Sequence, residues 1–270
     1  MLENIVFVND YLTKSKLPAS DFVINPYIGC ANGCKYCYAC FMKRFTGHTE
    51  PWGEFVDVKI CDKPINLNKI NGKSLCLSSV TDCYNPLEEK YCITKNILEQ
   101  LISADSEISI VTKSALILRD KELLKKFNNL TVAFSVNTLD EGFKNDMDKA
   151  SSIADRLNAL KILHDDGIKT VLFMSPIFPV LTDFKKIIEA TSEYVDTYWF
   201  ENLNLRGSFK NGILTYIKEK YSDLYPLYNQ IYNLKDKSFW ESLAFEINDF
   251  CTTNNVDFIN YFYHEQIRKN

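Results

Sequence analysis

Residues 25–40 read NPYIGCANGCKYCYAC, which sets Cys30, Cys34 and Cys37 as C-x3-C-x2-C on one short loop. Gly29 and Gly33 let the backbone wrap closely around whatever the thiols hold. Soft thiolates select iron–sulfur clusters or zinc. Three ligands on a four-iron cube leave one iron open, as a catalytic metal centre requires. Cys40 keeps a second reading open, because C-x3-C-x2-C-x2-C also closes a four-cysteine zinc site or a ferredoxin-like cluster with no vacancy.

The loop follows an apolar run over residues 22–27, and similar runs recur over 75–80, 108–112, 130–136, 170–174 and 195–200. Each has the length and β-branched content of a buried strand. The stretches between them carry apolar residues at helical spacing, such as Ile93, Ile97 and Leu101, or Ile153, Leu157, Leu160 and Leu163. Strand then helix, six times over, predicts a parallel sheet. Asn85, Pro86 and Glu88 read as the cap, first position and capping-box carboxylate of the second helix. Asp166-Gly167 reads as the stop of the fourth.

The expected fold is therefore α/β: a partial (β/α)6 TIM-type barrel over residues 1–205, with 1–20 as a lead-in. Beyond Leu205 the strand alternation ends, and residues 206–270 read as a helical extension of the same compact unit. A chain of 270 residues, 46% hydrophobic, can fill one such core.

The net charge of −4 arises from interspersed Lys and Asp/Glu, with no basic stripe of the kind phosphate-backbone binding needs. No apolar run is long enough to span a bilayer, and MLENIVFVNDYLTK lacks the layout of a secretory signal. These features predict a cytoplasmic protein with no membrane partner. Nine cysteines, an odd number, suit metal or redox chemistry in a reduced compartment better than a disulfide framework. Cys61, Cys76, Cys92 and Cys251 are scattered, and His48, His164 and His264 share no metal-ligand spacing.

In parallel barrels chemistry gathers at the C-terminal strand ends. Here those ends carry Cys30, then Ser78, Ser79, Thr81 and Asp82, then Lys113 and Ser114, then Ser135 and Asn137, then Ser175, and finally Glu201 and Asn202.

An aromatic residue, Tyr36, precedes the third cysteine, and with it the cysteine motif resembles the signature of the radical S-adenosylmethionine superfamily. NPYIGCANGCKYCYA, SSVTDCYNPLE, TKS, FSVNT and SPIFP stand in the order seen in relatives of spore photoproduct lyase, so the resemblance covers residues 22–205. It implies a partial (β/α)6 barrel, a 4Fe-4S cluster on Cys30, Cys34 and Cys37, and S-adenosylmethionine on the open iron. It also implies a 5'-deoxyadenosyl radical that takes hydrogen from a substrate, and an external reductant such as flavodoxin or ferredoxin. Lys113 and Ser135 match positions that hold the cofactor's carboxylate, as suits an ammonium and a hydroxyl. Tyr36 matches a position whose main chain contacts the adenine, Asp82 a region that grips the amino group, and Ser175 stands within reach of the ribose or adenine.

Ser79 occupies the place where photoproduct lyase has its hydrogen-donating cysteine. Cys83, next to Asp82, is the replacement the sequence offers, against its plain reading as a small core residue. The substrate class stays open among small molecule, peptide and nucleic acid. DNA lesion repair and a non-catalytic metal protein with Cys40 as fourth ligand are the alternatives.

Overall fold

The computed structural model describes residues 1–17, 19–207 and 209–262. His264 lies outside them. The chain opens with β1 (Leu2–Phe7) and β2 (Leu12–Lys14), then β3 (Phe22–Ile24) and β4 (Tyr27–Gly29) on either side of Asn25 and Pro26. The cysteine loop follows and runs into a 3-10 helix over Tyr38–Phe45, after which β5 (Phe55–Ile60) returns.

Strand and helix then alternate. β6 (Lys73–Leu77) leads to α1 (Leu87–Tyr91) and α2 (Ile93–Leu101), and β7 (Ser106–Thr112) to a 3-10 turn and α3 (Lys121–Leu124). β8 (Leu130–Ser135) leads to α4 (Glu141–Met147) and α5 (Ile153–Asp165), and β9 (Lys169–Ile177) to α6 (Phe184–Thr191) and β10 (Thr197–Asn202). The rest comprises α7 (Phe209–Lys220), α8 (Tyr225–Tyr232), α9 (Ser238–Thr253) and β11 (Phe258–Asn260).

The main sheet is open, in the order β11-β10-β9-β8-β7-β6-β3-β2, and only β2 runs antiparallel to its neighbour. The six strands read from the sequence stand side by side in it, as a partial barrel demands. Two additions were not legible. β11 returns from the C-terminal helices to extend the sheet past β10. β1, β5 and β4 form a separate three-stranded sheet over the cysteine loop.

Alternation along the strands divides the sheet into two unlike faces. Ile24, Leu77, Ile110, Val132, Phe134, Leu172 and Phe200 are fully buried. This is the helix-packed face: the Tyr198 hydroxyl meets Thr191 of α6 at 2.9 Å, and Phe184 sits edge-on to Phe200. Burying each such side chain stabilises by about 1.5–3 kcal/mol. The opposite face places Ser109 beside Thr131, then Ser135, Phe173, Trp199 and Ile259 in one register row. Ser109, Thr131, Phe173 and Trp199 are only partly buried, so this face is the more open of the two.

Gly167 at φ +81 ends α5 as expected, with Ile168 N–H reaching back to the Leu163 carbonyl. The reading of Glu88 needs correction. Asn85 does accept the Leu87 N–H, but Glu88 does not close a capping box on Asn85. Its buried carboxylate accepts instead from Thr94 N at 2.8 Å and Lys95 N at 3.2 Å, so it caps the following helix, α2. The Tyr27 hydroxyl and the Arg119 guanidinium donate to the same carboxylate. A capping box looks local in sequence, whereas these partners come from β4 and from beyond β7.

Removing this buried carboxylate strands the Tyr27 hydroxyl and the two N–H groups of α2, while Arg119 keeps Asp120. Glu88→Ala should therefore lower the unfolding free energy by about 3–5 kcal/mol in urea denaturation. Lys90→Ala, on the exposed Glu3 pair, should leave the midpoint in place. A Glu88→Ala midpoint equal to wild type would refute the account.

Candidate active site

The cysteine loop is strapped at several points. Gly29 has φ +87, and a Cβ there would lie 2.2 Å from the Phe55 carbonyl oxygen, so no other residue lets β4 lie on β5 in this way. Thr81 Oγ1 donates to the Gly29 carbonyl at 2.6 Å. Lys35 N–H donates to the Met147 carbonyl, and Lys149 N–H to the Asn32 carbonyl, which ties the loop to the end of α4.

Asp82 is the centre of this strapping. Oδ1 accepts from Tyr84 N at 3.0 Å and Thr112 Oγ1 at 2.7 Å; Oδ2 accepts from Asn32 Nδ2 and Lys113 N, both at 2.9 Å. Four donors fill the roughly four lone-pair sites of a carboxylate. Asp82 thereby joins the cysteine loop to the ends of β6 and β7 through both carboxylate oxygens.

Burial pushes the Cys30 thiol well above its ordinary value, and the charges of Asp82, Cys34 and Cys37 add to the effect. Burial pushes Cys34 up to about 12; the Lys113 charge acts against this, and Asp148 and Cys37 act with it. Cys37 is also raised by burial, against donors from Ala39 N–H and the Trp52 side chain and against the Lys113 charge. The three cysteines, each partly buried, thus lie within electrostatic reach of one another, with the Lys113 cation acting on Cys34 and Cys37. Cys40 acts on Cys37 last of the groups named there and is not among the main influences on the other two.

Three soft sulfurs whose anionic forms are disfavoured together fit a cationic group seated between them, because iron both needs and stabilises the thiolates. Among the described residues no three Cys, His, Asp or Glu side chains converge as a single ion would require. A cube binds its cysteines at separate irons, so the two observations are compatible.

Lys113 projects from the end of β7 with its ammonium 6.0 Å from the Tyr36 ring centroid. Among the described residues no carboxylate pairs with it. Ser135, at the end of β8, is buried, and its carbonyl accepts from Arg156 at 3.1 Å. Its hydroxyl has no hydrogen-bond partner among the described residues. Tyr36 is buried, edge-on to Phe178, and its hydroxyl donates to Asp148 at 3.2 Å. The Ser175 hydroxyl donates to Glu201 across β9 and β10.

Cys83 does not join this group. It is fully buried in the core, its N–H donates to Ser78 Oγ, and its carbonyl accepts from Thr94 of α2. Its thiol packs as a small apolar group, in keeping with the plain reading of this residue. Two residues that sequence reasoning missed complete the site. Arg156, fully buried on α5, bridges Asp148 at 2.7 Å, the Ser151 carbonyl and the Ser135 carbonyl, and Asp148 in turn holds Tyr36. The available signal was the position of Arg156, three residues after Ile153 and four before Leu160, on the apolar stripe of its helix.

The family model of the Radical SAM superfamily matches residues 24–190. An uncharacterized protein of Methanocaldococcus jannaschii is 40% identical over 220 residues, covering 80% of this chain and 82% of that protein. An uncharacterized protein of Mycobacterium tuberculosis is 23% identical over 231 residues, covering 78% of this chain and 67% of that one. Among solved structures, a spore photoproduct lyase mutant with bound AdoMet and dinucleoside spore photoproduct superposes with a TM-score of 0.58 at 17% identity. That match covers 81% of this chain and 66% of the lyase. Streptococcus suis SuiB bound to S-adenosylmethionine gives 0.56 at 15% identity, covering 88% of this chain and 49% of SuiB. At these identities the structural likeness is one of fold.

Asp82→Ala should release the cysteine loop and at least halve the iron retained per chain after anaerobic reconstitution. Cys83→Ala should retain full iron and lose only about 1 kcal/mol of stability for the small cavity it leaves. Equal iron in both variants would show that the strap does not govern the site.

Proposed function

Because this chain belongs to the Radical SAM superfamily, we propose that it acts on an organic substrate from which a hydrogen atom is abstracted on the open face of the sheet. A 4Fe-4S cluster and S-adenosylmethionine are the cofactors of the family. When bound, they supply a one-electron reductive cleavage that yields methionine and a 5'-deoxyadenosyl radical. The observation that carries the reading is the strapped loop that sets Cys30, Cys34 and Cys37 within reach of one another inside the matched segment, with the Lys113 ammonium acting on Cys34 and Cys37.

In this reading Cys30, Cys34 and Cys37 bind iron and Cys40 does not. The Lys113 ammonium and the Ser135 hydroxyl donate to the carboxylate of S-adenosylmethionine, for which both have donor capacity to spare. Tyr36, held by Asp148 and Phe178, fixes the loop that borders the adenine, and Ser175 is placed for the ribose. Phe173, Trp199 and Tyr261, 5.6–6.3 Å apart at their ring centroids, form an apolar wall on the same face and keep water from the substrate. An external one-electron donor, of flavodoxin or ferredoxin type, completes the cycle. We read residues 1–205 as the catalytic core and the remainder as part of the same unit, which the pairing of β11 with β10 supports. Among the described residues no helix is long and apolar enough to cross a membrane.

The test is anaerobic reconstitution followed by dithionite and S-adenosylmethionine. 5'-Deoxyadenosine and methionine should form with wild type and Cys40→Ala, and be lost with Cys34→Ala. Iron uptake without cleavage, with uptake reduced in Cys40→Ala, would instead establish a closed, non-catalytic site. Lys113→Ala should weaken S-adenosylmethionine binding about 10- to 100-fold, the value of a charged hydrogen bond, in equilibrium dialysis with the reconstituted protein. Unchanged affinity would remove Lys113 from the site.

A further inference from the structure

β1 is the outer strand of the small sheet β1-β5-β4 that lies over the cysteine loop. It runs parallel to β5, with Leu2 N–H donating to the Glu54 carbonyl and Val8 N–H to the Ile60 carbonyl, both at 2.8 Å. Main-chain groups alternate in direction along a strand, so those of Glu3, Ile5 and Phe7 point away from β5, and among the described residues none pairs with them. An edge in that state is a template for another strand. The side chains of the same three residues share one face. On it Ile5 is 54% and Phe7 75% exposed, and neither belongs to the hydrophobic core. At the other end of that face Glu3 accepts from the Lys90 ammonium and, at 3.1 Å, from the Tyr91 hydroxyl. The same ammonium stands 4.7 Å from the Tyr91 ring centroid.

We propose that β1 pairs antiparallel with β1 of a second copy of this chain, about a two-fold axis through Ile5, to give one sheet in the order β4-β5-β1-β1-β5-β4. Such a contact requires a patch that complements itself. The outward main-chain groups meet this requirement, because Glu3, Ile5 and Phe7 are spaced evenly about Ile5. Ile5 exchanges both hydrogen bonds with the partner's Ile5, and Glu3 does so with the partner's Phe7. A shift of two residues in either direction leaves outward groups unpaired. The side chains match in the same register. Ile5 meets its own copy as an apolar cross-strand pair, and the partner's Phe7 falls opposite Glu3, where Lys90 and Tyr91 offer it a cation and a second ring. A strand from another protein would satisfy the main chain alone; a second copy satisfies the main chain and both exposed side chains.

Sedimentation velocity of the untagged chain over a concentration series reads the assembly, and a dimer is expected. Ile5→Lys sets two ammonium groups opposite each other at the axis and should raise the dimer dissociation constant at least about 100-fold. If lysine disturbs folding, Ile5→Cys tests the same register, because hydrogen-bonded antiparallel pairs hold their Cα atoms about 5.5 Å apart, within disulfide range. Under mild oxidation Ile5→Cys should cross-link into a covalent dimer above the wild-type background. Glu3→Cys, whose two copies would stand about 14 Å apart, should not. A chain that is monomeric at every concentration overturns the proposal and leaves the edge to a strand of another protein. A dimer that persists unweakened in Ile5→Lys, or an Ile5→Cys chain that cross-links no more than wild type, overturns it as well.

Discussion

The buried carboxylate of Asp82 ties the cysteine loop to the ends of two paired strands, β6 and β7. Asn32 lies in the cysteine loop, Tyr84 in the turn after β6, and Thr112 and Lys113 at the end of β7. A buried anion without partners costs several kcal/mol, so each of these donors is fixed by the penalty of leaving it. The consequence is positional. The backbone of Lys113 is pinned by its N–H while its side chain remains free, and the loop carrying the three thiols is pinned through Asn32. One carboxylate thus sets the separation between the thiols and the ammonium beside them.

The fold was legible where burial on both faces, or on one face plus helical spacing, wrote a continuous apolar signal. β3 and β6 to β10 were read because a sheet covered by helices needs contiguous β-branched and aromatic runs. β1 and β5 escaped because they form a separate small sheet: Ile5 and Phe7 of β1 point to solvent, and Asp57 and Lys59 interrupt the apolar run of β5. β11 escaped because three residues following a long helix give no periodicity to detect. It is specified by its tertiary partner β10, and propensity has little say there.

The site was legible in the same uneven way. Cys30, Cys34 and Cys37 lie within eight residues, and spacing alone brings them together. Lys113 and Ser135 followed from strand ends and from resemblance. Asp148 and Arg156 were not legible, because each acts across a distance in sequence: Tyr36 to Asp148 spans 112 residues and Arg156 to the Ser135 carbonyl spans 21. Cys83 shows the converse. Adjacency to Asp82 suggested a place in the site, but successive residues in a tight turn point in different directions, and this thiol turns into the core.

The balance of charge around the thiols explains why so many carboxylates can stand near a group that must accept an electron. Asp82 spreads its charge over four donors, and Asp148 is met by Arg156, Tyr36 and, at 3.5 Å, Lys144. Both carboxylates are thereby fixed in place, although Asp82, met only by neutral donors, still opposes ionisation of Cys30. Lys113 is met by no carboxylate among the described residues, and its charge acts on Cys34 and Cys37. What Lys113 adds at those two thiols is positive charge. That sign favours both a thiolate-bound centre that becomes more anionic on reduction and a ligand that arrives with a carboxylate. The bound acids supply rigidity, and the Lys113 base supplies attraction at Cys34 and Cys37.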